Sequence, residues 1–175
     1  MDFFIKGVTF GWLSKKGELS APEAKESLRK MKDRTACNTV IFALAALQDT
    51  PFSTEIDYRG NHMPDDGELK TMMDFARELG LKIILKPTVN VRDGSWRAHI
   101  NFFDFDVPGE PTWSEWFKSY TEYQLHYARI AEEQGCEMFV AGCEMVQSER
   151  REEEWRALIG EIRKVYSGLI TYNTD

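Results

Sequence analysis

The stretch from Pro64 to Leu85, PDDGELKTMMDFARELGLKIIL, predicts one helix followed by one strand. Asp65 and Glu68 stand three residues apart before an apolar pattern, which is typical of a capping box at a helix N-terminus. Gly80 ends the helix, and the short apolar run after it predicts a buried strand. Between the two ends, apolar side chains recur at helical spacing: Leu69, Met72, Met73, Ala76 and Leu79.

The same alternation of apolar run and helix extends along the whole chain. Further helices are predicted to begin at the capping boxes Ser20-Ala21-Pro22-Glu23 and Thr112-x-x-Glu115 and at a Ser148 cap. A polar and aromatic loop is predicted from Lys86 to Pro111. The predicted strands are Phe3 to Phe10, Thr39 to Leu47, Leu81 to Leu85, Met138 to Ala141 and Leu169 to Tyr172. Helical crossovers between successive strands predict a parallel sheet with right-handed connections.

Two α/β architectures fit this order, a doubly wound sheet and a (β/α)₈ TIM barrel. A doubly wound sheet usually brings a GxGxxG or GxxxxGK[ST] phosphate fingerprint, and the chain contains neither. Polar or aromatic residues instead follow every predicted strand, where barrel enzymes hold their catalytic groups. We therefore predict that residues 1–175 are the N-terminal part of a single TIM-barrel catalytic domain, about its first five βα units. The residues after the strands are Trp12, Gln48, Lys86, Asn90, Glu144, Tyr172 and Asn173.

Composition limits the partners that the chain is expected to bind. The net charge of -7 and the pI of about 5.1 argue against nucleic acid and against anionic membrane surfaces. No run of 18 apolar residues and no signal peptide is present in the sequence, which favours a cytoplasmic location. A barrel needs eight strands to close, so five strands leave open sheet edges, and we expect self-association through them.

The sequence predicts neither a metal site nor a cofactor. Its three cysteines include no CxxC pair, which argues against a disulfide framework and a zinc knuckle. Its three histidines are far apart and lack a metal-binding spacing such as HxxxH.

Glu144 is the strongest candidate for a catalytic residue. It directly follows the fourth predicted strand, in the segment FVAGCEM at 139–145. Glycosidases protonate the leaving oxygen with one carboxylic acid, and a glutamic acid at a strand end that faces a cleft can serve as that acid. The alternative is a solvated glutamate in a βα loop, and the spacing alone leaves both interpretations open.

Several blocks of sequence resemble glycoside hydrolase family 113 and follow one another in that family's order. They are GVTFGW at 7–12, KPTVN at 86–90, DGSWRA at 93–98, GCEM at 142–145, WR at 155–156 and ITYN at 170–173. The resemblance implies a retaining (β/α)₈ enzyme similar to endo-β-1,4-mannanases, without a metal cofactor, in which Glu144 is the acid/base. The family's nucleophile lies after the seventh strand, and no residue of this chain matches it. Cys143 stands where many relatives of the wider clan have asparagine, which removes one usual hydrogen-bond donor to the sugar.

Seven further residues are predicted to bind the saccharide. Five lie after predicted strands and carry aromatic faces or polar groups, whereas the resemblance to family 113 implies the other two, Trp96 and Arg97, in the loop after the third strand. The seven are Trp12, Lys86, Asn90, Trp96, Arg97, Tyr172 and Asn173. Two alternatives stay open: Trp96 and Arg97 could instead close the loop over the barrel mouth, and Lys86 could pair with a carboxylate. Three other tryptophans begin or line helices and are predicted to pack in the core or between helices: Trp113, Trp116 and Trp155.

The predicted function is hydrolysis of β-1,4-mannan or manno-oligosaccharides by a glycoside hydrolase. One alternative is a truncated, non-catalytic fragment of such a hydrolase, and another is a different β-glycosidase of the same clan. A third alternative makes Lys86 the Schiff-base lysine of an aldolase-like barrel, which would require an amine pKa lowered by burial or by a neighbouring cation.

Overall fold

The computed structural model describes residues 4–174, in which strands and helices alternate as predicted. The elements are β1 (Gly7–Phe10), α1 (Pro22–Thr35), β2 (Thr39–Gln48), α2 (Asp66–Glu78), β3 (Lys82–Val91), α3 (Trp113–Glu133), β4 (Met138–Cys143), α4 (Glu152–Val165) and β5 (Leu169–Asn173). Two 3₁₀ turns, Arg97–His99 and Val146–Ser148, lie in the loops after β3 and β4. The predicted first strand included Phe3, which lies outside the described residues. None of the helices within 4–174 combines the length and the apolar character needed to cross a membrane.

All five strands form one parallel sheet in the order β1-β2-β3-β4-β5. A doubly wound sheet reverses its strand order at a switch point, whereas the strands of a TIM barrel follow chain order around the wall. The barrel prediction is therefore confirmed, and the chain forms the first βα units of that wall. The long central strands β2 and β3 are largely buried, whereas β1 and β5 at the two edges are partly exposed along their length.

Two of the four predicted helix caps are confirmed. Asp65 and Thr112 each accept a hydrogen bond from the backbone N–H three residues on, and the glutamate there completes the capping box. Ser20 is not a cap, because Ala21 occupies that position and the Ser20 hydroxyl donates to Glu68 of α2. Ser148 is not a cap either, since its hydroxyl donates to the backbone oxygen of Met145 and α4 begins only at Glu152.

The third strand is longer than predicted and continues through Lys86 to Val91. The sequence misleads here because a lysine and a proline interrupt the apolar run, and proline is unusual inside a sheet. Ladder pairing between β3 and β4 extends only over Ile84 and Leu85, just before Pro87. Beyond that point, two side chains of α3 donate hydrogen bonds to carbonyl groups of β3. The donors are Gln124 Nε2 to the Pro87 oxygen at 3.2 Å and Tyr123 Oη to the Thr88 oxygen at 2.8 Å.

Helix α3 supplies the largest aromatic side chains of the core. Trp113 and Trp116 are buried, as predicted, and Trp116 stacks on Tyr120 with ring centroids 4.7 Å apart. The Trp116 indole N–H donates to Gln48 at the end of β2 (2.9 Å), so a buried polar contact ties the helix to the sheet. Trp155 packs between α3 and α4 against Phe117 and Tyr120, which confirms its predicted interhelix position.

Candidate active site

Glu144 lies directly after β4, where the backbone takes a left-handed conformation with φ of 54°. This conformation is uncommon for a residue other than glycine, and such strain clusters at functional sites. Two hydrogen bonds from neighbouring amides hold the turn against β5. Glu144 N–H donates to the Asn173 backbone oxygen at 2.9 Å, and Met145 N–H donates to the Tyr172 hydroxyl at 2.8 Å.

The Glu144 carboxylate is held by two donors from the loop after β3. Arg97 Nη1 donates to Oε2 at 2.6 Å, and the Trp96 indole N–H donates to the same oxygen at 3.1 Å. The Glu144 side chain remains 30% exposed. The carboxylate is therefore fixed in place and still open to a ligand.

Arg97 is buried, with 9% of its surface exposed. It links the loop to β3 and to the end of β4. Its Nε donates to the Val89 backbone oxygen at 2.9 Å and its Nη2 donates to Asn90 Oδ1 at 2.5 Å. The guanidinium also lies 5.3 Å from the centre of the Trp12 ring, within cation–π range. Contacts to one arginine thus connect three predicted site residues.

Lys86 and Asn173 form a second polar pair close to Glu144. Lys86 Nζ donates to Asn173 Oδ1 at 2.6 Å, and the backbone oxygen of the same asparagine accepts the Glu144 amide. Among residues 4–174, Lys86 therefore pairs with an amide and not with a carboxylate. Both side chains come from inside strands, β3 and β5, and not from the loops after them as predicted.

The Tyr172 side chain lies on the helix side of the sheet, and its predicted contact with substrate stays a prediction. Its ring packs on Trp155 of α4, with centroids 5.4 Å apart, and its hydroxyl donates to Glu149 at 2.8 Å. Successive residues of a strand point to opposite faces, so Tyr172 faces the helix layer while Asn173 faces Lys86. Burial raises the pKa of the Tyr172 hydroxyl well above its ordinary value.

The remaining predicted site residues come together through a connected set of contacts. They are Trp12, Lys86, Asn90, Trp96, Arg97, Glu144 and Asn173. Trp12 and Trp96 keep 39% and 45% of their surface exposed, so their rings are available to a ligand. The sequence indicated these residues one by one, but no spacing signal indicated that Arg97 pairs with Glu144.

Cys143 belongs to this site as well, although the sequence assigned it no contact. It is buried, and its Sγ lies 4.0 Å from Arg97 Nη1. The thiol therefore faces the arginine that holds Glu144. Within residues 4–174, no three His, Cys, Asp or Glu side chains are grouped in a way that could hold a metal ion.

The sequence of the chain matches a known family of enzymes. The sequence profile of Glycoside Hydrolase Family 113 matches residues 8–175. The chain belongs to glycoside hydrolase family 113. No curated protein sequence matches it.

Solved structures of family 113 enzymes superpose closely on the chain. A GH113 β-1,4-mannanase, solved in a complex, has a TM-score of 0.97 and 67% sequence identity, covering 98% of this chain and 56% of its own. The GH113 β-mannanase AaManA from Alicyclobacillus acidocaldarius, in complex with ManMIm, has a TM-score of 0.92 and 42% identity, covering 98% of this chain and 54% of its own. This family 113 chain therefore spans about half the length of these relatives.

Proposed function

We propose that this family 113 chain belongs to a retaining glycoside hydrolase that cleaves β-1,4-mannan or manno-oligosaccharides, with Glu144 as the acid/base. The observation that carries the proposal is the Glu144 carboxylate after β4, anchored at Oε2 by Arg97 and Trp96 and still exposed to a ligand. The two solved relatives at 67% and 42% identity are both named as mannanases, which supports mannan as the substrate class.

In the first step, Glu144 protonates the glycosidic oxygen while a second carboxylate attacks the anomeric carbon from the opposite side. The bond to the leaving sugar breaks and a covalent glycosyl-enzyme forms. In the second step, ionised Glu144 takes a proton from water, whose oxygen attacks the anomeric carbon and releases the nucleophile. The configuration at the anomeric carbon is therefore retained.

The second carboxylate must lie roughly 5 Å from Glu144 in a retaining enzyme. We assign this role to the family's position after the seventh strand, outside the five strands described above. Three other carboxylates of the chain, at Asp57, Asp93 and Glu149, already have partners of their own. Asp57 pairs with Arg92 at 3.4 Å, Asp93 accepts the Ser95 amide at 2.8 Å, and Glu149 accepts the Tyr172 hydroxyl. The hydrogen bond from the Ser95 backbone also lowers the pKa of Asp93, as suits an exposed turn residue.

The exposed faces of Trp12 and Trp96 are suited to sugar rings, whose C–H surfaces pack on aromatic rings. The Lys86–Asn173 pair supplies hydrogen-bonding groups beside Glu144. We propose that these four side chains contact the saccharide, whereas Asn90 acts through Arg97. The amide partner of Lys86 gives no reason to assign it Schiff-base chemistry.

The test is release of reducing ends from β-mannan and manno-oligosaccharides, with cellulose as the comparison substrate. It uses the 175-residue chain and a chimeric barrel, in which this chain is joined to the part of the 67% identical mannanase that it does not cover. Glu144→Gln removes the acid, and Glu153→Gln makes the same change at an exposed position of α4. We expect the chimeric barrel to cleave mannan, Glu144→Gln to lose at least about 10²-fold in rate, and Glu153→Gln to match the parent.

The other outcomes separate the alternatives. Activity of the chimera without activity of the 175-residue chain supports a non-catalytic fragment as the description of the isolated chain. Preference for cellulose over mannan would indicate another β-glycosidase of the clan. Full activity of Glu144→Gln would refute the acid/base assignment.

A further inference from the structure

We propose that Arg97 and Trp96 hold one oxygen of Glu144, Oε2, so that proton transfer to and from the substrate occurs through the other oxygen, Oε1. Arg97 is then a positioning residue and not a sugar-binding residue. This inference rests on the proposed acid/base role of Glu144. It adds which oxygen reacts and which side chains determine that choice.

The two donors converge on a single atom. Arg97 Nη1 and Trp96 Nε1 lie 2.6 and 3.1 Å from Oε2, whereas Oε1 has no hydrogen bond to any residue from 4 to 174. A proton on Oε2 would face two N–H donors, which accept no hydrogen bond in return. The proton that reaches the glycosidic oxygen is therefore carried on Oε1.

Arg97 is itself held by groups outside the cleft. All three of its nitrogens donate to protein atoms: Nε to the Val89 oxygen, Nη2 to Asn90 and Nη1 to Glu144. The Val89 oxygen can accept this bond because the ladder between β3 and β4 has already ended near Pro87. The separation of the two strands thus creates the place that the guanidinium occupies.

The burial of Arg97 excludes it as a main sugar ligand. With 9% of its surface exposed and every nitrogen bonded to protein, it presents little to a substrate. A lysine could not replace it, because an ammonium on a flexible stem cannot keep three donors in a fixed plane. The predicted role of Arg97 in binding sugar is thereby replaced by one in orienting Glu144.

The first experiment needs no activity and uses the 175-residue chain. Its readout is the position of the Trp96 indole N–H signal in ¹H–¹⁵N NMR spectra, which Trp96→Phe assigns. We expect Glu144→Ala to shift that signal, because it removes the acceptor, and Glu153→Ala to leave it in place. An unchanged Trp96 signal in folded Glu144→Ala would overturn the proposal.

The second experiment uses the chimeric barrel and compares two substrates. Manno-oligosaccharides need an acid to protonate the leaving oxygen, whereas dinitrophenyl β-mannoside has a leaving group that departs without one. We expect Arg97→Gln and Arg97→Lys to lower kcat on the oligosaccharide by about 10²-fold, with little change in KM. The pre-steady-state burst of dinitrophenol should change by only a few-fold. Trp96→Phe, which removes one neutral donor, should cost less.

A different pattern would identify a different role. A rise in KM on both substrates, with kcat preserved, would show that Arg97 binds sugar and would overturn the positioning role. Equal losses in the oligosaccharide kcat and in the rate of the dinitrophenol burst, with a lower melting temperature, would mark Arg97 as purely structural. If Glu144→Gln keeps full activity while the NMR shift is observed, the proposed function fails and the anchoring contact stands.

Discussion

Replacing Gly142 with alanine adds one methyl group at a point where two rings approach the β4 backbone. The new Cβ would lie 2.7 Å from Trp155 Cη2 and 2.7 Å from Tyr172 Cε2. Carbon atoms in contact normally lie about 3.5–4.0 Å apart, so each ring would have to move by nearly 1 Å. Gly142 has no left-handed backbone angle, so the penalty is steric.

Neither ring can move freely. The Trp155 indole N–H donates to the Ser148 backbone oxygen at 2.9 Å, and the Tyr172 hydroxyl is bonded to both Met145 and Glu149. Overpacking of this kind costs about 1–3 kcal/mol, and the two fixed rings place Gly142→Ala near the upper end, at about 3 kcal/mol. Because Tyr172 holds the turn at Glu144, activity of the chimeric barrel should fall too.

The matched control is Gly160→Ala, the same substitution in the exposed interior of α4. A Cβ there meets no atom within 4 Å, and alanine is favoured over glycine in a helix by about 1 kcal/mol. Urea unfolding followed by circular dichroism should therefore show opposite signs for the two variants. A Gly142→Ala variant as stable as the parent, or a destabilised Gly160→Ala variant, would refute this reasoning.

Three more outcomes are expected. Thr112→Ala, which removes the cap of α3, should lower the free energy of unfolding by about 1 kcal/mol in urea titration, and no loss would show that the capping box contributes little. Burial raises the pKa of Cys136 from 9.0 to about 12, so between these values the unfolded chain loses a proton that the folded chain keeps. Stability should therefore fall as pH rises, and the fall between about pH 8 and about pH 10.5 should be smaller by roughly 2 kcal/mol in Cys136→Ala than in the parent; equal pH profiles for the two proteins would contradict this. In gel filtration the 175-residue chain should elute at an apparent mass above its 20.3 kDa, and this apparent mass should rise with protein concentration. Leu169→Lys, on the exposed edge strand β5, should lower the apparent mass, whereas monomeric elution of the parent at all concentrations would contradict the prediction.

Periodicity predicted the fold well because each element carries a local signal. Glu68 and Glu115 stand three residues after their caps, and the apolar faces of α2 and α3 follow helical spacing, so both helices were predictable. The predicted cap at Ser20 was wrong because a tertiary contact occupies its side chain. The Ser20 hydroxyl donates a hydrogen bond to Glu68, which lies 48 residues further along the chain. The predicted third strand ended too early, before Lys86. Sequence patterns do not show that side chains of α3 can donate hydrogen bonds to the carbonyl groups of a strand.

The candidate site was predictable residue by residue, but not as a set of contacts. Glu144 was indicated by its place after a strand, and Trp96 and Arg97 by a resemblance to family motifs. The bond between Arg97 and Glu144 joins residues 47 positions apart, and no periodic pattern reports a contact at that distance. The face on which the Tyr172 side chain lies could not be predicted, because it depends on the exact register of β5. A shift of one residue along a strand turns every side chain to the opposite face of the sheet.

The most direct test of Glu144 as the acid/base of a retaining β-mannanase is azide rescue of the Glu144→Ala chimeric barrel on dinitrophenyl β-mannoside. This substrate reaches the covalent intermediate without an acid, and azide can attack the intermediate without a base. The proposal predicts that azide restores turnover and yields mannosyl azide of β configuration, since two displacements retain the configuration. An α-configured product would show that Glu144 is the nucleophile, and full turnover of Glu144→Ala without azide would show that Glu144 takes no part in the chemistry.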